Sequence, residues 1–129
     1  MQLTDFRWEQ DADGIATLFW DVPGRSMNVL TARAIADLAT VAEKLSSDAT
    51  IKGLVITSGK SNGFCAGAAL NEMEQRATDG RSISADEAAI ARFNGVMRFH
   101  RAQRALEKCG KPVAAAINGL ALGLSLIHI

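Results

Sequence analysis

The chain has 129 residues, of which 48% are hydrophobic and 22% are charged, and 14 basic side chains balance 14 acidic ones. This composition is typical of a soluble globular protein, and the even charge balance argues against a nucleic-acid or membrane-surface partner. Two cysteines are too few for a disulfide framework, and residues 1–7 carry no apolar signal segment. We therefore expect a protein of the reducing cytoplasm.

The first elements predicted along the chain are a β-hairpin, a helix and a buried strand. Residues 6–9 alternate between apolar and polar, turn-forming residues occupy 11–14, and residues 15–20 are apolar, which predicts a hairpin. Residues 31–45 place apolar side chains at helical spacing, and residues 51–57 form a short β-branched run. This order predicts a βαβ unit and hence an α/β fold.

A long second helix is predicted in the other half of the chain. Residues 68–77 are helical in composition, and residues 78–82 are typical of a loop. Ser84 and Glu87 form a capping-box pattern that begins the long helix, and residues 108–112 combine a cation, a glycine and a proline that end it. One stripe of this helix is apolar: Ile90, Phe93 and Met97.

The carboxyl-terminal stretch is uncharged from residue 113 to residue 129. It is shorter than the roughly 20 apolar residues of a membrane-spanning helix, and Asn118 and Gly119 interrupt it. We predict a buried strand over residues 113–117, a turn and further core rather than a membrane span.

Two turns of small residues follow predicted strands. Residues 64–70 follow the strand at 51–57, and residues 118–123 follow the strand at 113–117. Small side chains let a ligand approach the backbone closely, so two such turns on neighbouring strands can present two N–H donors to one carbonyl oxygen. This pattern favours a main-chain oxyanion hole, although tight packing alone would also account for it.

A serine hydrolase is the alternative suggested by residues 59–63, Gly-Lys-Ser-Asn-Gly, which fit the nucleophile-elbow pattern after a strand. Ser61 would be the nucleophile, and Asp79 or Asp86 would act with His100. An elbow must lead directly into a helix, whereas residues 64–67 are typical of a loop.

Metal sites are not predicted. His100 and His128 have no Cys, Asp or Glu neighbours at ligand spacing, and Cys65 and Cys109 are far apart in sequence. A small buried thiol is the favoured interpretation of Cys65.

Three segments, in order and spacing, resemble the enoyl-CoA hydratase/isomerase family, the crotonases. These segments are residues 21–28 after the hairpin, residues 64–73 and residues 115–123. Residues 21–28 are especially similar to the amino-terminal hydratase module of multifunctional 3-hydroxyacyl-CoA dehydrogenases, the α subunits of fatty-acid oxidation complexes. The resemblance implies an α/β fold of the ββα-superhelix type that binds an acyl-CoA thioester.

The resemblance also implies a set of site residues. The Ala68 N–H would donate to the thioester oxygen, and the second donor would lie at the position of Leu124. No separate cofactor is implied, because coenzyme A is part of the substrate, and the full-length protein would form a homo-oligomer or a fatty-acid oxidation complex. The substrate-binding residues implied are Arg25, Met27, Ala66, Ala68, Ala69, Leu70, Leu122 and Gly123.

Two departures from the family pattern change the expectation for activity. Ala69 stands where the family usually has Asp. After Gly123 the family continues with two glycines and a catalytic Glu, and a second Glu follows later, whereas this chain continues with Leu124. We therefore expect this chain to be inactive as a hydratase. Isomerisation, thioester hydrolysis, dehalogenation and non-catalytic acyl-CoA binding stay open.

Residues 124–129, Leu-Ser-Leu-Ile-His-Ile, are the translation of a DNA string that resembles the transposon-end adapter of sequencing libraries. We expect residues 1–123 to be the amino-terminal part of a crotonase-like domain, truncated after the second oxyanion-hole turn, and residues 124–129 to be a non-native tail. Such a truncation predicts exposed apolar surface and aggregation.

Overall fold

A computed structural model describes residues 1–69 and 84–123. Its elements are, in chain order, β1 (Phe6–Gln10), β2 (Ile15–Trp20), α1 (Ala32–Ser47), β3 (Gly53–Ser58), α2 (Ala85–Glu107) and β4 (Val113–Ala116). None of the helices in these two ranges is both long and apolar enough to cross a membrane.

The four strands form one sheet in the order β1-β2-β3-β4. The predicted hairpin is confirmed, because β1 and β2 pair antiparallel with Phe6 opposite Trp20. β2, β3 and β4 are mutually parallel, with Ile15 opposite Gly53 and Leu54 opposite Val113. The chain passes through α1 between β2 and β3, so the predicted βαβ unit is confirmed. Parallel pairing places the carboxyl ends of β2, β3 and β4 at the same edge of the sheet.

The amino-terminal cap and the apolar face of α1 explain why this segment forms a helix and packs on the sheet. The Thr31 side chain accepts a hydrogen bond from the Ala34 N–H at 2.9 Å and begins the helix. One face of α1 packs into the core formed with the sheet, and the helix also contacts α2. The buried apolar residues of that face are Ala34, Leu38, Val41, Ala42 and Leu45.

Helix α2 begins and ends as predicted but buries little of its length. Ser84 and Glu87 form the capping box, and Gly110, with φ of +82°, follows the carboxyl-terminal cap. Phe99 and Ala102 are the only buried residues of this helix, all of which lies within the described residues. The predicted apolar stripe faces outward in its first half, where Ile90 is 60% and Phe93 62% exposed.

The strand predicted after residue 113 is confirmed as β4, but the prediction that it is buried and followed by further core is wrong for the residues that the structure describes. All four residues of β4 are exposed. β4 lies at the edge of the sheet, paired with β3 on one side, and its side chains lack the cover that α1 gives to β2 and β3. The predicted helix at 68–77 and loop at 78–82 fall, from residue 70 onward, outside the described residues.

Candidate active site

The segment 64–69 is held between two other stretches of chain at the carboxyl edge of the sheet. On one side it bonds to residues 120–122: the Phe64 and Cys65 N–H groups donate to the Leu120 carbonyl at 2.8 and 3.0 Å. The Leu122 N–H donates to the Cys65 carbonyl at 2.9 Å. The two predicted small-residue turns are therefore neighbours.

The other side of the segment 64–69 bonds to residues 28–30. The Ala66 N–H donates to the Asn28 carbonyl at 2.8 Å. The Leu30 N–H donates to the Gly67 carbonyl at 2.7 Å, and the Ala69 N–H donates to the Leu30 carbonyl at 3.1 Å. The segment is thus bonded on both sides, as a short central strand would be.

The Ala68 N–H differs from its neighbours in this arrangement. It shares a peptide plane with the Gly67 carbonyl and points the opposite way, because the two groups of a trans peptide are anti to each other. Since that carbonyl points to Leu30, the Ala68 N–H points to the side on which residues 120–123 lie. No acceptor among residues 1–69 and 84–123 bonds to it. This N–H is therefore placed to donate to a ligand.

Close approach of two glycine pairs brings the turns together. A Cβ added to Gly119 would lie 3.2 Å from the Gly63 Cα, and one added to Gly123 would lie 3.3 Å from the Gly67 Cα. All four glycines have positive φ angles. Larger residues at these positions would separate the two chains, so the small-residue pattern serves the pairing of the turns.

The loop 21–27 is bonded to the turn that precedes the segment. The Lys60 side chain is 13% exposed, and its ammonium lies 2.7 Å from an Asp21 carboxylate oxygen and 3.0 Å from the Val22 carbonyl oxygen. The Asn62 side chain donates to the Ser26 carbonyl at 2.6 Å. These contacts place the loop beside the segment 64–69.

Cys65 lies within the segment with its thiol buried, as predicted. Burial raises the pKa of the Cys65 thiol, although the Gly67 N–H, which donates to Sγ at 3.3 Å, acts in the opposite direction. The side chain therefore stays a neutral thiol at neutral pH and lacks the thiolate character of a nucleophile.

An apolar cavity of about 570 Å³ lies next to Cys65, between the sheet and the two helices. Its walls include Trp20, Phe64, Leu38 and Phe99. Trp20 and Phe64 meet edge to face, with ring centroids 5.8 Å apart. The lining is mostly aromatic and aliphatic, but it also includes the polar residues Gln103, Glu107 and Lys111.

A family model described as enoyl-CoA hydratase/isomerase matches residues 12–125. The chain belongs to the enoyl-CoA hydratase/isomerase family. Fatty acid oxidation complex subunit alpha of Idiomarina loihiensis is 38% identical over 118 residues, which is 92% of this chain and 15% of that protein. The subunit of the same name from Shewanella amazonensis is 37% identical over 111 residues, 86% of this chain and 14% of that protein.

Solved structures of this family share the fold. A putative enoyl-CoA hydratase from Streptomyces coelicolor superposes with a TM-score of 0.77 at 27% identity, covering 98% of this chain and 42% of that one. An enoyl-CoA hydratase from Shewanella pealeana gives a TM-score of 0.79 at 22% identity, covering 97% of this chain and 43% of that one, and supports the fold alone. The crotonase-type α/β fold expected from the sequence is confirmed.

The residues that the crotonase resemblance implied are partly brought together. Ala66 and Ala68 are half-buried and Ala69 is buried within the segment. Leu122 and Gly123 are exposed beside Gly67, and a Cβ at Gly67 would lie 3.5 Å from the Leu122 carbonyl oxygen.

Two more of the implied residues lie on the loop 21–27. Arg25 and Met27 are half-buried there, and a Cβ at Gly63 would lie 3.1 Å from the Met27 Cε. The implied Leu70 and Leu124 lie outside the described residues.

No helix directly follows Ser61 in the described part of the chain, so the structure lacks the helix that a nucleophile elbow requires. Ser61 is exposed in a turn, and the residues that follow it, 64–69, form the bridged segment described above. His100 and Asp86 both lie exposed on α2, and Asp79 is outside the described residues. Within residues 1–69 and 84–123, no three His, Cys, Asp or Glu side chains form a group that could hold a metal ion.

Two buried or bridging asparagines were missed as site residues by the sequence reasoning. Asn118 links the ends of β3 and β4, because its Oδ1 accepts from the Ser58 N–H at 3.2 Å. Asn28 bonds to both neighbouring strands and to the segment. Both lie within segments that the sequence analysis singled out, residues 21–28 and 118–123, and that was the signal available for them.

Proposed function

We propose that this chain is the amino-terminal part of an enoyl-CoA hydratase module of fatty-acid β-oxidation, located in the cytoplasm. The complete module would add water to a 2-enoyl-CoA and yield the 3-hydroxyacyl-CoA. The observation that carries the proposal is the Ala68 N–H, which has no acceptor among the described residues although its backbone segment is bonded on both sides, in a chain of this family.

The proposed role of the Ala68 N–H follows from the charge that develops during hydration. Addition of hydroxide to C3 places negative charge on the thioester oxygen, and protonation of C2 then completes the reaction. A preorganised donor stabilises that charge, and loss of one such donor typically costs about 2.7–4 kcal/mol. The small side chains of Ala66, Ala68 and Gly123 would let the thioester reach the backbone.

Substrate binding is proposed for the residues around this segment. The thioester would lie against residues 66–70, and the coenzyme A part would lie along the loop that carries Arg25 and Met27. Leu122, Gly123 and Leu124 would form the opposite side of the site, with Leu124 at the position of the second donor. Because coenzyme A belongs to the substrate, no separate cofactor is part of the proposal.

We propose that these 129 residues bind an acyl-CoA without hydrating it. General acid–base catalysis contributes roughly 10²–10⁴-fold and needs a proton-transfer group beside the reacting atoms, which in the family pattern is a glutamate carboxyl group. Glu9 lies on β1 at the far edge of the sheet, Glu87 caps α2, and Glu107 pairs with Arg104 at 2.7 Å. None of the six glutamates stands at either catalytic position of the family pattern.

The full-length protein is proposed to assemble as the family does. The curated relatives are subunits of a fatty acid oxidation complex, and this chain spans about a seventh of their length. Isomerisation and other acyl-CoA reactions of the family share the oxyanion donors and differ in their acid–base groups, so they are the alternative reading of the same site.

Calorimetric titration of the chain with crotonyl-CoA, with free coenzyme A as the control, tests the proposal. We expect crotonyl-CoA to bind more tightly than coenzyme A, with no loss of the enoyl absorbance over time. Equal affinities would contradict the proposed thioester site. Turnover of crotonyl-CoA would contradict the proposal that the chain binds an acyl-CoA without hydrating it. Covalent labelling of Ser61 by a fluorophosphonate probe would instead support the serine hydrolase.

A further inference from the structure

Asn28 is fully buried where three parts of the chain meet behind the segment 64–69. Its Oδ1 accepts from the Val22 N–H at 3.0 Å. Its Nδ2 lies 2.7 Å from the Trp20 carbonyl oxygen, 2.9 Å from the Ser58 Oγ and 3.1 Å from the Phe64 carbonyl oxygen. One side chain thus connects the ends of β2 and β3 to the start of the segment.

The chemistry of these contacts requires a primary amide of this length. The position demands an acceptor toward Val22 and donors toward two main-chain carbonyls, and an amide supplies both from one planar group. An aspartate would place carboxylate oxygens against the carbonyl oxygens of Trp20 and Phe64. A leucine of similar volume would leave the buried Val22 N–H and Phe64 carbonyl without partners among the described residues, while the Trp20 carbonyl would keep the Gly59 N–H at 2.9 Å.

The main chain of Asn28 holds the segment at a second point. Its carbonyl accepts from the Ala66 N–H at 2.8 Å, while its side chain bonds to the Phe64 carbonyl. The two bonds lie on either side of Cys65, and Ala68 follows two residues later. Asn28 therefore fixes the segment relative to the sheet immediately before the Ala68 N–H.

We propose that Asn28 is the positioning residue of this site, which sets the location of the Ala68 N–H relative to the carboxyl edge of the sheet and hence to the thioester oxygen. The identity of the ligand in this inference, an acyl-CoA thioester, rests on the proposed function. The placement of the segment by Asn28 is testable without a ligand.

Amide hydrogen exchange in the Asn28→Ala variant tests the placement. The matched control is Leu45→Ala, which removes a fully buried side chain of α1 away from the segment. We expect the Ala66 and Ala69 amides to exchange about tenfold faster in Asn28→Ala than in Leu45→Ala at equal global stability. Equal exchange in the two variants would show that Asn28 supports the fold as a whole, and would overturn the inference.

Asn28→Asp keeps the test falsifiable where the alanine variant does not fold. A neutral carboxyl group retains one donor, so protection of the Ala66 amide is expected at low pH. Ionisation of the carboxyl group removes that donor. We therefore expect the protection of the Ala66 amide to fall as the pH rises, after correction for the pH dependence of the intrinsic exchange rate. Protection that does not change with pH would contradict the proposed role.

The infrared carbonyl stretch of crotonyl-CoA labelled with ¹³C at the thioester carbon tests the link to function. We expect a shift to lower frequency on binding to the wild-type chain, retained in Leu45→Ala and reduced in Asn28→Ala. An unchanged shift in Asn28→Ala would overturn the positioning role. Absence of a shift in the wild-type chain would instead refute the proposed function, while the exchange experiment would still decide the placement.

Discussion

At the scale of single residues, some groups of the candidate site can be predicted from sequence patterns and others cannot. The small residues of 64–69 and 118–123 are recognisable because each run follows a predicted strand. Asn28 is not, because its five hydrogen-bond partners are distributed from residue 20 to residue 66 and no local period reports them. The direction of the Ala68 N–H also depends on a bond made by Leu30, which only the folded chain reveals.

Cys65 gives the site a pH-dependent contribution to stability. Its folded-state pKa is raised above the value of 9.0 for a free thiol, chiefly by burial. This contribution is fully present below the unfolded pKa and is lost as pH rises through the folded pKa, because the unfolded chain then binds fewer protons.

We therefore expect the free energy of unfolding, measured by urea denaturation, to fall from about pH 9 upward more steeply in the wild-type chain than in Cys65→Ala. Cys109→Ala is the control, since it removes the other buried thiol. Parallel pH profiles for wild type and Cys65→Ala would contradict this assignment.

Gly119 tests the close approach of the two turns. Gly119→Ala meets both a φ of +107° and the Gly63 Cα, whereas Gly24→Ala meets a φ of +72° with nothing within 4 Å. We expect Gly24→Ala to cost about 1–2 kcal/mol in unfolding free energy for the backbone conformation. Gly119→Ala should cost roughly 1–3 kcal/mol more because the turns must separate. Equal losses by chemical denaturation would show that the turns do not need this contact.

At the scale of elements, local signals were sufficient for most of the fold. The hairpin, both helices and the parallel strands follow from alternation, helical spacing and caps, all of which act within a few residues. The exposure of β4 did not follow, because its apolar composition indicates burial while burial depends on what packs over the strand. The bridges of Leu30 with Ala68 and of Cys65 with Ala121 join residues distant in sequence and have no local pattern.

The two helix caps differ in what surrounds them. The Thr31 hydroxyl caps α1 and also donates to the fully buried Asp5 carboxylate, whose other oxygen lies 3.4 Å from the Arg33 Nε. The Asp37 carboxylate accepts the Asp5 N–H at 2.8 Å, so β1 and α1 are joined at this point. Ser84 caps α2 in solvent.

We expect Ser84→Ala to cost about 0.5–1 kcal/mol, the usual range for an exposed cap. Thr31→Ala should cost about 2–4 kcal/mol, because it also leaves a buried carboxylate oxygen without its donor. Thermal or urea unfolding of both variants measures the difference. A Thr31→Ala cost no larger than that of Ser84→Ala would argue against the Asp5 contact.

At the scale of the whole molecule, the described surface carries many large apolar side chains. On α2, Ile90, Phe93 and Val96 are 60%, 62% and 57% exposed. Val113, Ile117, Leu120 and Leu122 are exposed along β4 and the turn after it. The exposed apolar surface expected from the sequence is confirmed, and surfaces of this kind promote association.

We expect the isolated chain to self-associate and the double variant Ile90→Lys/Phe93→Lys to reduce the associated fraction without loss of unfolding free energy. Sedimentation velocity across a concentration series measures this. Ala36→Lys/Ala39→Lys, at two exposed positions of α1, adds the same two charges away from the apolar surface and serves as the control. A monomeric wild-type chain, or equal rescue by Ala36→Lys/Ala39→Lys, would contradict the prediction.

The central proposal is that the Ala68 N–H donates to the thioester oxygen of an acyl-CoA. The most direct test is the amide proton shift of Ala68 in ¹⁵N-labelled chain titrated with crotonyl-CoA. We predict a downfield movement of the Ala68 proton that exceeds those of Ala66 and Ala69, whose N–H groups already have partners. Saturable binding with an unmoved Ala68 resonance, or no binding at all, would contradict the account.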